Sequence, residues 1–483
     1  MAHLSRRQKW LFSVLAAVVL VAGVAFRERL CENNWAFAGS DSYGYVKLAD
    51  TWRTEGRYAL GPAPEPLHYG RMPLYPLFIR LTKGAAPAEM SGGDGWGRIT
   101  RAQRWLDVLV ATPLAAGMAL ALGGAGAALF VLACMLLLPF TTLYDAAALS
   151  ESLATTLTVA TLGTLFFARR WPRRAFALAG ALLGLSLLTR PDGILLAVAF
   201  VPALALLADK EPQRTRRLRL QSLGLALLAF TCVYAPWPAR NLAQFGQPWF
   251  VGARVDRYSR PLDHYQGYWN WLRSWCGNYH CQTITATCFL TPPCEPSLGG
   301  YPAEAFFDDH ERRQVAALFA DRTRYGLTPA GSAAFQRLAD QKNARARFQT
   351  LLWLPLRRSF TMWIADHDEV LQNPTIKVRW LQSARPVLKV LSILFCIGAV
   401  IGTTWLLRDR QRRLAAAILA APLLVRTLIL PMQLYSMPRY TVEVWPLMYV
   451  LSAAGGALIF TALQNRLRPP QPEAPARHDE PSS

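Results

Sequence analysis

The chain has 483 residues, 52% of them hydrophobic and 17% charged, with 16 tryptophans and a formal net charge of +21. Such apolar content, gathered in runs of membrane-spanning length, excludes an ordinary soluble globular protein and makes the bilayer the solvent. The basic excess would suggest nucleic acid in a soluble protein, but here it sits in short loops between apolar runs, so no nucleic-acid partner is expected.

Taken in chain order, runs of about 17 to 22 mostly apolar residues predict ten spans. They lie near 10–26, 105–122, 124–142, 150–168, 174–189, 191–208, 218–236, 386–407, 413–432 and 440–463. Arg6, Arg7 and Lys9 precede the first run as in a signal peptide, but no small-residue cleavage site follows, so it reads as an uncleaved helix. With the N-terminus inside, the Arg-rich loops "ARRWPRR", "DKEPQRTRRLRLQ" and "RDRQRR" all fall on the inner side. The expectation is an all-α polytopic protein of the cell inner membrane with about ten transmembrane helices and both termini cytoplasmic. The bilayer itself is thus a partner.

Four regions follow. Residues 1–236 hold seven spans and a first outer loop at 27–104. Residues 237–385 form a large outer segment, expected to be of mixed structure. Residues 386–464 hold three more spans, and 465–483, rich in Pro and charge, form a tail expected to be disordered.

The first outer loop opens with "AGSDSYGYVKLADTW". Ser40 or Asp41 could cap a helix there, with Tyr43, Val46, Ala49 and Trp52 along one face, as an interfacial helix would have. "HYGRMPLYPLFIRL", too short to span, predicts a second segment along the membrane surface. In the large outer segment, Cys276, Cys281, Cys288 and Cys294 lie close together and read as two disulfides, with three possible pairings. Zinc binding with His280 is the competing reading. Cys31, Cys134, Cys232 and Cys396 lie in or near spans and read as small core residues.

Polar residues gather at one level. Asp41 and Arg71 lie in the first outer loop, and Asp145, Ser150 and Glu151 at the turn between spans three and four. Arg190 and Asp192 lie in "LLTRPDG", Arg240 in "PWPARN", Arg426 in the outer half of span nine, and Arg439 and Glu443 at the start of span ten. Interfacial anchoring explains Arg and Trp at that level, but it explains carboxylates poorly. Arg suits a phosphate through its planar fork, and an Asp can take a proton from an attacking hydroxyl.

In this order the segments "SDSYGYVKLADTW", "GRMPLYPLF", "LSESLATTL", "LLTRPDGILL", "PWPARNLAQFG" and "PRYTVEVWPL" resemble membrane glycosyltransferases of the GT-C fold. The resemblance is to the branch of protein O-mannosyltransferases and lipid A aminoarabinose transferases, and covers roughly 38–250 and 425–455. It implies a sugar donor carried on polyprenyl phosphate and a periplasmic acceptor, which could be a cell-envelope glycan, a glycolipid or a protein. It also implies inverting transfer on the outer side of the membrane. Asp41 would be the catalytic base and Glu151 a second catalytic acid near the acceptor. Arg71 and Arg439 would bind the donor phosphate, with Asp145, Arg190 and Arg240 lining the site. Many relatives have Asp-Glu where this chain has Asp41 followed by Ser42.

No cofactor is required on this reading, though a divalent cation, Mg or Mn, on Asp41, Asp145 and Glu151 is an open alternative. The alternative functions are a flippase or transporter of lipid-linked sugar, an O-antigen ligase-type enzyme, and a nonenzymatic scaffold using 237–385.

Overall fold

The computed structural model describes residues 5–32, 39–65, 67–68, 70–89, 93–208, 211–248, 266–278, 298, 301–321, 328–364, 383–432 and 437–467. Among them the chain is almost wholly helical. The one β feature is an isolated antiparallel bridge between Ala59 and Leu67. All ten apolar runs are helical. The tail from 468 lies outside the described residues, as do Cys281, Cys288 and Cys294.

The N-terminal part comprises α1 (Arg6–Glu32), α2 (Gly39–Glu55), α3 (Leu74–Lys83), α4 (Asp94–Leu106), a π-turn at Asp107–Ala111, and α5 (Thr112–Leu137). Next come α6 (Pro139–Asp145), α7 (Ser150–Phe166), α8 (Pro172–Thr189), a 3-10 stretch at Pro191–Ala199, α9 (Phe200–Ala205), α10 (Pro212–Tyr234) and α11 (Pro236–Phe245). The segment 246–384 holds α12 (Gln266–Arg273), α13 (Asp309–Ala320), α14 (Pro329–Arg345) and α15 (Leu354–Trp363) among its described residues. The chain closes with α16 (Arg385–Arg408), α17 (Arg413–Met432), a 3-10 turn at Pro438–Val444 and α18 (Trp445–Leu467).

Among the described residues five helices are long and apolar enough to cross a membrane, six if the bent pair α10 and α11 counts as one span. Their flanks agree with a lipid surround: Val14, Val18 and Val21 on α1 and Val390, Leu394 and Ile397 on α16 are all exposed. The protein is a membrane protein. One of the five, Asp94–Leu137, is two helices in space. Gly124 breaks it at φ 83° and ψ −169°, a left-handed conformation that only glycine adopts without strain. Arg27 touches both Asp107 (2.5 Å) and the carbonyl of Leu136 (3.4 Å). A straight helix at 1.5 Å per residue would hold residues 107 and 136 about 43 Å apart, so the chain turns back at Gly124.

At the centre of the bundle is α7. Every residue from Ser150 to Gly163 is buried, although the stretch is rich in threonine. Thr155, Thr156 and Thr161 donate to carbonyls four residues back, which satisfies their hydroxyls inside the helix. α16 and α18 cross at Gly402 and Gly455, where a Cβ on either would collide with the other backbone. Phe140 and Trp445 stack nearby at 4.2 Å between ring centres.

The face expected on α2 is not a membrane-facing stripe. Val46 and Ala49 are buried against Tyr75, Ile79 and Trp96 of α3 and α4, and Leu48 packs with Tyr58 and Trp237, while Tyr43 is exposed. Burial from two sides, by α3 and α4 and by the 58–72 loop, decides which positions turn inward. In the segment 237–385, expected to be of mixed structure, the described residues contain helices and no strand. Their aromatic residues recur at helical spacing, with Tyr268, Trp271, Phe319 and Phe335 forming one core. Arg358 of α15 donates to the carbonyls of Cys276 (2.7 Å) and Pro431 (3.2 Å), tying this core to α17. Cys276 is disulfide-bonded. Of the remaining cysteines, Cys134 is buried and Cys396 half-buried, but Cys232 is exposed on α10 and is not a core residue.

Candidate functional site

Local sequence explains how the site is assembled. Ser42, in the first turn of α2, donates to the carbonyl of Ala148 (3.0 Å) and so fastens that turn to the loop before α7. The same helix brings the Tyr45 hydroxyl to Ser150 Oγ (3.4 Å), at the start of α7. Asp41 lies inside the first helical turn rather than at a cap, and its carboxylate turns to side chains. Arg71 precedes Pro73, which opens α3; its N–H donates to His68 Nε2 (3.0 Å), and its carbonyl accepts from the Tyr58 hydroxyl (3.0 Å). The guanidinium lies 4.5 Å from the centre of the Tyr45 ring, one helical turn beyond Asp41.

Two guanidiniums grip Asp41. Arg71 Nη2 is 2.7 Å from Oδ1, and Arg439 Nη1 is 2.9 Å from Oδ2. Arg439 Nε also stands 4.0 Å from Glu151 Oε1. Behind it, Arg190 joins Glu151 (2.8 Å), Asp192 (3.3 Å) and Glu443 (3.2 Å), and Arg426 joins Asp192 (2.8 Å) and Glu443 (3.1 Å). The result is a continuous chain of four arginines and four carboxylates, formally neutral, drawn from five parts of the sequence.

Exposure divides this chain. The Asp41, Arg71 and Arg439 side chains are 29%, 30% and 23% exposed, whereas Glu151 is 3% and Arg190 9% exposed. A ligand can therefore touch the first three, and the rest lie behind them. Burial alone would raise the Asp41 carboxyl, but Arg71 and Arg439 outweigh it and hold the group well below the usual carboxylate range. Burial, then the charges of Arg71 and Arg240, hold His68 down at about 3. His68 is thus neutral and free to accept from Arg71.

Of the residues expected at the site, Asp41, Arg71, Arg439, Glu151 and Arg190 come together. Asp145 does not. It pairs with the fully buried Arg27 (2.6 Å) and accepts from Ser152 (2.5 Å), in a separate cluster with Asp107 that joins α1, the π-turn, α6 and α7. Arg240 lies one residue removed, donating to the carbonyl of His68 (2.8 Å) and resting over Trp237 and Tyr58. It lines a cavity of about 550 Å³ with Trp52, Tyr58 and Trp237.

The cation trio Asp41, Asp145 and Glu151 is not assembled either. Asp145 is held elsewhere by Arg27, and the guanidinium of Arg439 stands between Asp41 and Glu151 where a metal would have to sit. Among the described residues no three His, Cys, Asp or Glu side chains converge on one point. As placed, Asp41, Asp145 and Glu151 do not fit a metal ion.

Sequence reasoning assigned no role to Tyr45 or Arg27. Tyr45 lay four positions beyond Asp41, on the same face. Arg27 and Asp107 lay at the edges of apolar runs, where a charge reads as a flank.

No known family profile matches the chain, and no curated protein matches it by sequence. Among solved structures it is similar to an oligosaccharyltransferase of Archaeoglobus fulgidus in complex with zinc and sulfate. The two share 15% identity at a TM-score of 0.47, over 94% of this chain and 50% of that one. The same organism's oligosaccharyltransferase AglB, with an inhibitory peptide and a dolichol-phosphate, aligns at 14% identity and TM-score 0.49, over 97% and 53%. ArnT from Cupriavidus metallidurans aligns at 15% identity and TM-score 0.39, over 97% and 82%, and has also been solved bound to undecaprenyl phosphate. The chain spans about half the length of the archaeal enzyme. At these scores the likeness assigns no residue and no reaction to this chain, and the site stands on its own geometry.

Proposed function

We propose that the protein is an integral-membrane glycosyltransferase that moves a sugar from a polyprenyl-phosphate donor to an acceptor hydroxyl, with Asp41 as general base. The observation that carries this reading is Asp41 held, reachable from outside the bundle, between Arg71 and Arg439. An acid flanked by two phosphate-binding forks supplies both halves of such a transfer.

In the resting site both guanidiniums serve Asp41, which makes it a weak base. A donor phosphate offers them a second anion. As Arg71 and Arg439 turn to its oxygens, Asp41 loses positive neighbours and becomes more basic. The acceptor oxygen then attacks the anomeric carbon while Asp41 takes its proton. The bond from that carbon to the phosphate oxygen breaks, polyprenyl phosphate leaves with the electron pair, and the sugar inverts. Glu151, buried and paired to Arg190, steadies Arg439 from behind rather than meeting the acceptor.

The acceptor belongs to the cell envelope: a glycan, a glycolipid or a protein. The same proposal includes ten spans, cytoplasmic termini, an outward-facing site in the inner membrane, and the division at 1–236, 237–385, 386–464 and 465–483.

The test is transfer of radiolabelled sugar from a polyprenyl-phosphate donor to envelope acceptors by the purified full chain in detergent. Transfer that disappears in Asp41→Asn, with the protein still folded, supports the reading. Full transfer by Asp41→Asn removes Asp41 as base. Transbilayer movement of the donor without transfer would make the protein a flippase.

A further inference from the structure

A second cavity, of about 530 Å³, opens at the far end of the bundle. α10 runs from Pro212 to Tyr234, so at 1.5 Å per residue its first turn lies about 33 Å from the end beside Arg240. The cavity is a groove between the end of α9 and the first three turns of α10, lined by Leu204, Thr215, Arg216, Arg219, Leu220 and Leu223. Positions 212, 215, 216, 219, 220 and 223 form one stripe of a helix. The stripe changes character along its length, with Thr215, Arg216 and Arg219 toward the helix start and Leu220 and Leu223 deeper into the apolar run.

Arg219 is fixed in place: Nε donates to the carbonyl of Leu204 (2.8 Å) and Nη2 to that of Ala205 (3.4 Å). Among the described residues neither Arg216 nor Arg219 has a carboxylate within ion-pair distance. Leu220 is 60% exposed. The arginine-rich turns "ARRWPRR" and "RDRQRR" also lie at this end, since α7 runs from Ser150, near the Asp41 cluster, to Phe166 here, and α16 arrives here at Arg408.

We infer that this groove binds an anionic phospholipid of the leaflet at this end, its phosphate on Arg216 and Arg219 and an acyl chain along Leu204, Leu220 and Leu223. Two guanidiniums with no carboxylate partner among the described residues, at the mouth of an apolar groove, fit an anion joined to a hydrocarbon chain. A soluble anion would leave the leucine half unused, and a zwitterionic headgroup would bring a cation toward two others. The inference rests on the chain lying in a membrane, not on the transferase reading.

The test uses the full chain purified in detergent and native mass spectrometry with phosphatidylglycerol and phosphatidylcholine of matched acyl chains. Phosphatidylglycerol should be retained in preference. Arg216→Gln should weaken its retention about fivefold, the usual weight of one arginine at an anionic surface. Leu223→Trp, which fills the groove without changing charge, should weaken it as well. Arg410→Gln makes the same charge change outside the groove and should leave retention within about twofold. Arg216 is exposed, so the thermal midpoint without lipid should not move in Arg216→Gln. The inference is overturned if both lipids bind alike, if Arg410→Gln costs as much as Arg216→Gln, or if excess inorganic phosphate displaces the lipid.

Discussion

Asp41 and Arg439 stand 398 positions apart in the chain and meet at 2.9 Å. α2, α7 and the turn before α18 converge there, and the same arginine stands within 4.0 Å of Glu151. The segment that holds α2 and the turn before α18 thus close one site around a single guanidinium.

Replacing Asp41 by Asn keeps the shape but removes the base and the charge that holds both arginines. Transfer should fall by about 10²–10⁴-fold, the range of a lost general base. The protein should remain folded, because Asn keeps the shape and the part-exposed guanidiniums of Arg71 and Arg439 can turn to water. Single-turnover transfer together with the thermal midpoint checks both statements.

Arg71→Lys and Arg439→Lys keep the charge and lose the planar fork, and at position 71 the stacking on Tyr45 as well. The main expected effect is a rise of about tenfold in KM for the donor, from the loss of roughly one charge-assisted hydrogen bond. A drop in kcat with KM unchanged would remove these residues from donor-phosphate binding.

Arg27 is fully buried between Asp107 and Asp145. Arg27→Ala leaves two carboxylates without their cation and should cost about 3–5 kcal/mol of stability. Activity per folded molecule should stay near wild type, because the cluster does not touch Asp41. Thermal unfolding read alongside specific activity separates the two effects.

His68 titrates at about 3 in the folded protein against 6.5 ordinarily. Between those values the unfolded chain binds a proton that the folded chain refuses. This contribution is therefore complete above pH 6.5 and is lost as pH falls toward 3, by up to about 1.4 kcal/mol per pH unit. His68→Gln can still accept from the Arg71 N–H but cannot titrate. Its thermal midpoint should fall less than that of wild type between pH 7 and about 5. Asp41, held below its ordinary 3.8, adds to the acid loss only beneath about pH 4.

Much of the architecture was legible because lipid leaves the chain few choices. An apolar run must satisfy its own backbone and so becomes a helix, and all ten runs did. The one-sided gathering of Asp41, Glu151, Arg190, Arg426 and Glu443 was legible for the same reason, since charges are driven out of the hydrocarbon to the ends of helices. Hydropathy cannot tell which end residue meets which. Asp145 and Glu151 are six positions apart and looked equivalent, yet Asp145 turns to Arg27 and Glu151 to Arg190.

By itself, then, the sequence determined a helical membrane protein with its acids and bases gathered at one end and an excess of arginine in the turns of the other. Those properties follow from the cost of moving single residues between water and lipid. The tertiary structure alone decided the burial of α2 on two sides, the separation of Asp145 from the site and the capture of Asp41 by Arg71 and Arg439. Each of these is a contact between distant segments, and a contact's free energy belongs to the pair and to the packing that brings it together.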